Sequence, residues 1–200
     1  FFGKTGAAAF DMAGRQLWLT PLGTGSSGRR WGSGGSPVLY KDSLIVNATD
    51  ECKSLVALDK KTGRELWRAG GDMIELAYST PSILETNGRT DLVFPIAQEI
   101  WGLNPDTGKL RWYATHGLPG NVSPALIHDG DMVYLFGGYP TQGSAAVRPP
   151  RPRASRPVRA VVSSGAWRAR AWLPARSLRP RSRPIRSLCW CLLRRAGSPT

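Results

Sequence analysis

The 200-residue sequence predicts an all-β fold: a partial β-propeller of four-stranded antiparallel blades, about three of them, over residues 1–146, followed by a disordered tail over residues 147–200. Three observations carry that prediction. The segment Ala57-Leu58-Asp59-Lys60-Lys61-Thr62-Gly63-Arg64-Glu65-Leu66-Trp67 recurs at 102–112 and, one residue shorter in its turn, at 9–18, which spaces the tryptophans by 49 and 45 residues. A second landmark, Ser36-Pro37, Thr80-Pro81 and Ser123-Pro124, keeps nearly the same period at 44 and 43 residues. At Val147 the composition changes abruptly.

Short strands account for the residues between landmarks. After the first motif copy come Val38-Leu39-Tyr40, a turn at Lys41-Asp42, Leu44-Ile45-Val46, a loop, Leu55-Val56-Ala57-Leu58, the Thr62-Gly63 turn and Glu65-Leu66-Trp67. The next period repeats the theme with Ile83-Leu84, a hairpin at Asn87-Gly88 and Leu92-Val93-Phe94. A third has Ala125-Leu126-Ile127, a hairpin at Asp129-Gly130 and Met132-Val133-Tyr134-Leu135-Phe136. Asn-Gly and Asp-Gly supply the positive φ that tight hairpins need. Four strands in each period of 43–49 residues make a propeller blade, with a solenoid as the alternative geometry; no useful 3.6-residue periodicity supports helical repeats. The third strand of the last period begins at Ala145-Ala146-Val147-Arg148 and then fails.

The formal charge of +13 belongs to the tail. Residues 1–146 hold 13 Lys and Arg against all 14 Asp and Glu, whereas residues 147–200 hold 14 Arg, 8 of the 16 prolines and no acid. One reading of the tail is a nucleic-acid arm in which Trp167, Trp172 and Trp190 stack on bases and the arginines meet phosphates. The favoured reading is an out-of-frame translation of GC-rich DNA beginning near Arg148, because Arg, Pro, Ala, Gly, Ser and Trp are what such DNA encodes; no specific nucleic-acid partner is therefore expected. Cys52, Cys189 and Cys191 form neither a disulfide framework nor a four-ligand zinc site. No apolar run approaches the roughly 18–20 residues that span a bilayer, so no membrane span is expected. The chain begins Phe1-Phe2-Gly3, without an initiator Met or a signal segment, and a true N-terminus upstream is expected.

The pattern Ala-x-Asp-x-x-Thr-Gly-x-x-x-Trp resembles the signature of pyrroloquinoline-quinone (PQQ) type repeats. Such repeats build quinoprotein dehydrogenases and the propeller lipoprotein that assists outer-membrane protein assembly. The resemblance covers residues 1–146, with Gly102 and Asn104 departing from the motif Ala and Asp. It implies that Asp11, Trp18, Asp59, Thr62, Gly63, Trp67, Asn104, Thr107, Gly108 and Trp112 are structural, each Trp wedging between blades, as a large flat side chain beside a tight turn can. It also implies a periplasmic or envelope location, protein partners, and a complete propeller of seven or eight blades that is not obligately oligomeric. The expected role is a non-catalytic scaffold for protein interaction. The alternative is a fragment of a PQQ-dependent dehydrogenase. That reading implies an aspartate base, a calcium site of Glu, Asn and Asp and an adjacent cysteine pair, and none maps here: Cys52 has Glu51 and Lys53 as neighbours. No catalytic or metal-binding residue is assigned, and PQQ and calcium are expected only if further blades supply the site.

If ligands bind where propellers usually bind them, the connections from each outermost strand to the next innermost strand are the candidate site. These are 23–36 with Arg29, Arg30 and Trp31, 70–80 with Asp72, Glu75 and Tyr78, and 113–123 with His116 and Asn121. Within the first, Gly23-Thr24-Gly25-Ser26-Ser27-Gly28 matches a dinucleotide-binding pattern, but Arg29-Arg30-Trp31-Gly32-Ser33-Gly34-Gly35 cannot form the helix that a pyrophosphate needs. His116 and His128 are expected at the surface rather than as ligands.

Overall fold

The computed structural model describes residues 1–71, 74, 77–86, 88–118, 120–137, 139–140, 142–150, 158–159 and 161–163. They belong to the first of two units, Phe1–Ala166. Of the tail over residues 147–200, for which disorder is expected, residues 151–157, 160 and 164–200 lie outside the described residues.

After a 3-10 turn at Gly3–Thr5, β1 (Ala7–Phe10) and β2 (Gln16–Thr20) form an antiparallel pair. A four-stranded sheet follows in chain order, β3 (Val38–Tyr40), β4 (Ser43–Ala48), β5 (Ser54–Asp59) and β6 (Glu65–Gly70). Between β4 and β5, where the sequence predicts a plain loop, one helical turn α1 (Thr49–Cys52) closes on Lys53 in the left-handed region at φ 52°. The pattern recurs in β7 (Ser82–Thr86), β8 (Arg89–Pro95), β9 (Glu99–Leu103) and β10 (Leu110–Thr115). Next come β11 (Gly120–Asn121), β12 (Ile127–Asp129), β13 (Met132–Gly137), β14 (Tyr139–Pro140), β15 (Gly143–Val147), β16 (Val158–Arg159) and β17 (Val161–Ser163). The last sheet has the order β12-β13-β15-β17. Hairpin-connected neighbours in chain order are propeller blades, and the fold is a partial β-propeller. Strand pairing continues past residue 146: β17 pairs with Ser144, Ala145 and Ala146, and β16 adds to β10 in parallel.

The core lies between sheets. In β4 and β5, Val46, Val56 and Leu58 pack towards Ala7, Trp18 and Leu22, while Ile45, Leu55 and Ala57 pack on the other side against Leu92, Phe94, Ile96 and Leu103. A third layer joins Leu84, Val93, Ile100 and Trp112 to Leu126, Val133, Leu135 and Val147. Strands covered on both faces read as unbroken apolar runs instead of alternating ones, which is why β4 and β5 are apolar at nearly every position.

One irregularity repeats. In each outer hairpin a β-bulge leaves the residue before the tryptophan unpaired: Leu17 beside the Ala9–Trp18 pair, Leu66 beside Ala57–Trp67 and Arg111 beside Gly102–Trp112. A bulge adds local twist and re-aims the next side chain. Trp18 thereby meets the following sheet, its indole N–H donating to the Lys60 carbonyl at 3.1 Å, and Trp67 donates to that of Pro105 at 3.0 Å. The turns that receive them are built by the motif. Asp59 accepts hydrogen bonds from the Lys61 and Thr62 N–H groups and the Thr62 hydroxyl at 2.8–3.0 Å, and these bonds, the Thr62 hydroxyl's above all, hold its carboxyl below its ordinary range. Gly63 and Gly108 have φ of 72° and 69°, and a Cβ on either would sit 2.6 Å from the ring of Trp18 or Trp67. Asn104 accepts the Asp106 N–H at 3.0 Å through its side chain, and its carbonyl accepts Thr107 and Gly108, so amide and carboxylate build the same corner. The shorter first copy is closed by Asp11, which accepts the Ala13 and Arg15 N–H groups at 2.9 Å.

Trp112 departs from the pattern. Residues 148–150 supply no Thr-Gly corner, and its indole N–H donates instead to Asp91, which lies in the same sheet, at 2.8 Å. Asp91 is fully buried and also pairs with Arg89 and Arg111 at 2.7 and 2.8 Å. Gly102 makes this possible, because a Cβ there would overlap the Trp112 ring.

Candidate functional site

The three connecting loops come together at the sheet end opposite the Asp59 and Asn104 corners. The Ser-Pro landmarks are part of that contact: the Ser36 N–H donates to the Thr80 hydroxyl at 2.9 Å, and the Ser79 hydroxyl, one residue before its landmark, donates to the Pro124 carbonyl at 2.9 Å. The Tyr78 N–H donates to Val122 at 3.0 Å, Ala77 and Val122 form a parallel bridge, and β11 pairs with β14 so that Asn121 faces Tyr139 across the ladder.

The first loop has little regular structure and many glycines, and two carboxylates hold it. Asp50 accepts the Ser27 N–H at 3.0 Å and the Gly32 N–H at 2.9 Å, and Glu51 accepts the Ser33 N–H and hydroxyl at 3.1 and 2.6 Å. Both acids are buried, at 5% and 3% exposure, so these backbone donors satisfy charges that would otherwise be costly to bury. The glycines also let the loop lie close to α1: a Cβ on Gly25 would fall 2.6 Å from the Glu51 carbonyl oxygen. A cleft of about 300 Å³ beside it is lined by Gly25, Ser26, Ser27, Asp50, Glu51 and Cys52 among others, and burial pushes the Cys52 thiol upward.

Pinned in this way, the loop tip presents Arg29, Arg30 and Trp31 to solvent, with Arg30 at φ 55°. The Arg29 guanidinium lies 5.1 Å from the Trp31 ring centroid and 5.4 Å from that of Tyr139, within cation–π range of both. Trp31 also meets Tyr78 at 5.6 Å with the planes tilted by 44°, and the Tyr78 hydroxyl lies 3.3 Å from that of Ser27. Trp31 and Tyr139 remain 59% and 58% exposed. Arg29, Trp31 and Tyr78 thus form one cluster, which Tyr139, from a segment that carries no repeat landmark, completes.

His116 and Asn121 stand apart from it. His116, expected at the surface, is buried. Its segment folds back on the β8–β9 turn through His116 N–H to Gln98 and Gln98 N–H to Leu118 bonds, and the ring sits between the Ile96 carbonyl and the Leu118 N–H, both at 3.1 Å. Desolvation lowers its pKa, opposed in part by the Glu99 and Ile96 carbonyls. His128 is exposed on β12. Asn121 is 4% exposed, and neither amide atom has a hydrogen-bond partner among the described residues. Asn47 is equally buried but donates to the Ala77 and Ser79 carbonyls. Asp72 and Glu75 lie outside the described residues.

The described residues do not fit a calcium-quinone site. Asp50 and Glu51, the buried acids at this face, already bind the loop backbone, and no group of three or more His, Cys, Asp or Glu among the described residues could hold a metal ion. Nor is any helix among them long and apolar enough to cross a membrane.

Comparison with known proteins adds a family. The family model described as outer membrane protein assembly factor BamB matches residues 3–170. The crystal structure of BamB from Moraxella catarrhalis is similar at 17% identity with a TM-score of 0.49, over 70% of this chain and 38% of that one, so the chain spans well under half of that relative. No curated protein matches.

Proposed function

Since the chain belongs to the outer membrane protein assembly factor BamB family, we propose that its blades serve a non-catalytic scaffold of the bacterial envelope that binds other proteins through the connecting-loop face. The observation that carries this reading is the exposed cluster of Arg29, Trp31 and Tyr139. Large aromatic and arginine side chains dominate protein interfaces, and here they are held in place by a pinned loop instead of being free to collapse. The opposite end of the sheets carries tight corners whose side chains close their own turns.

A footprint on the full-length protein tests it. In-cell cross-linking of envelope partners is expected to depend on Trp31, so that Trp31→Ala lowers the cross-linked yield at least fivefold while Lys61→Ala on the opposite corner leaves it unchanged. Equal loss from both variants, or from neither, overturns the reading. Titration with PQQ and calcium is expected to produce no shift in quinone absorbance; a saturable shift would favour the dehydrogenase alternative.

A further inference from the structure

We infer that the Arg29 guanidinium, which lies over the Trp31 and Tyr139 rings, receives acidic side chains from an extended segment of a partner protein. This rests on the scaffold reading and specifies the chemistry of its site. The charge pattern argues for it. Arg15, Arg68, Arg89, Arg111 and Arg148 each meet a carboxylate at 2.7–3.0 Å, whereas Arg29 has no carboxylate partner among the described residues and meets two rings instead. The two acids that hold its loop cannot turn to it, because Asp50 and Glu51 are buried and bound to Ser27, Gly32 and Ser33. A guanidinium attracted to ring faces spends no N–H group on a carboxylate there, and its planar fork can receive one in two parallel hydrogen bonds. Arg30, also exposed, adds a second positive charge at the same tip.

The exposed Trp31 and Tyr139 rings favour a peptide over a bare anion, because the apolar atoms of an extended segment can cover them and inorganic phosphate cannot.

The test uses the full chain and two synthetic probes, a 12-residue peptide of alternating Glu and Gly and its Gln-Gly counterpart, with inorganic phosphate and a 12-nucleotide single strand as further arms. Because the arginines of residues 147–200 attract any polyanion, the readout is local: hydrogen-exchange protection of the amides of residues 28–32 and of Tyr139, and the difference in affinity between the native chain and its variants. The Glu-Gly peptide is expected to protect both segments. Arg29→Ala should weaken its binding at least tenfold and abolish the protection, and Arg29→Lys should restore only a minor part, since an ammonium lacks the planar fork that meets a carboxylate in two hydrogen bonds. Equal protection by the Gln-Gly peptide, by phosphate or by the single strand overturns the inference, as does an Arg29→Ala chain that binds normally. An Arg29→Ala protein that keeps its Trp31-dependent envelope cross-links would sink this inference alone, whereas native protein without such cross-links would sink the scaffold reading itself.

Discussion

Gly108 shows why the repeat keeps its residues. It must adopt φ 69° and also leave room for the Trp67 ring, so Gly108→Ala meets backbone strain and a steric overlap together. A loss of about 1–3 kcal/mol is expected from the strained backbone alone, read as a lower urea midpoint. Trp67→Ala, which empties an intersheet layer, should cost about 3–5 kcal/mol. His116 sets a pH dependence. Its folded pKa lies below the ordinary value of 6.5 because the buried ring resists protonation. The unfolded chain therefore binds the extra proton first as pH falls, and stability present at pH 7.5 is lost progressively below about 6.5. A melting temperature that drops between pH 7.5 and 5.5, and a flatter profile in His116→Gln, are the expected outcome. The motif residues were legible in the sequence because their geometry is local. The burial of His116 was not, since it depends on a turn some 18 residues upstream folding against it.

Among the elements, the strands were the readable part and the devices between them were not. The apolar runs of β4, β5 and β8 and the hairpin glycines place the strands to within three residues at either end. A four-residue helix such as α1 has no period to detect, and the paired two-residue strands β11 and β14, which bring Tyr139 beside Arg29, leave no pattern either. Nor was the repeated bulge readable, because the extra residue is Leu in two copies and Arg in the third. The clasp of Asp50 and Glu51 on the first loop carries its own prediction. Asp50→Asn replaces one acceptor oxygen with a donor against backbone N–H groups, so amides of residues 26–33 should exchange at least tenfold faster while those of β4 and β5 keep their protection. Equal exchange in both proteins would mean that the glycines and the neighbouring loops hold the segment without the acid.

For the molecule as a whole, Leu17, Leu19, Phe10 and Met12 remain exposed on the β1–β2 pair. The isolated chain should associate with itself and show concentration-dependent light scattering, as open sheet edges and bare apolar surface do; a soluble monomer with one sharp melting transition would contradict this. We propose that the native reading frame ends near Arg148, although β17 pairs with β15 beyond it. Reading the coding DNA past that point in its other two frames should return another Thr-Gly-x-x-x-Trp copy, and its absence from both would retain the present residues. Trp112 offers an optical handle on the same question. An indole whose N–H is bonded to a buried carboxylate emits in a different local field from one bonded to a peptide carbonyl. Restoring a following corner should shift the emission of Trp112, read as the difference between the spectra of the chain and its Trp112→Phe variant, so that fluorescence would register whether the next blade has been supplied.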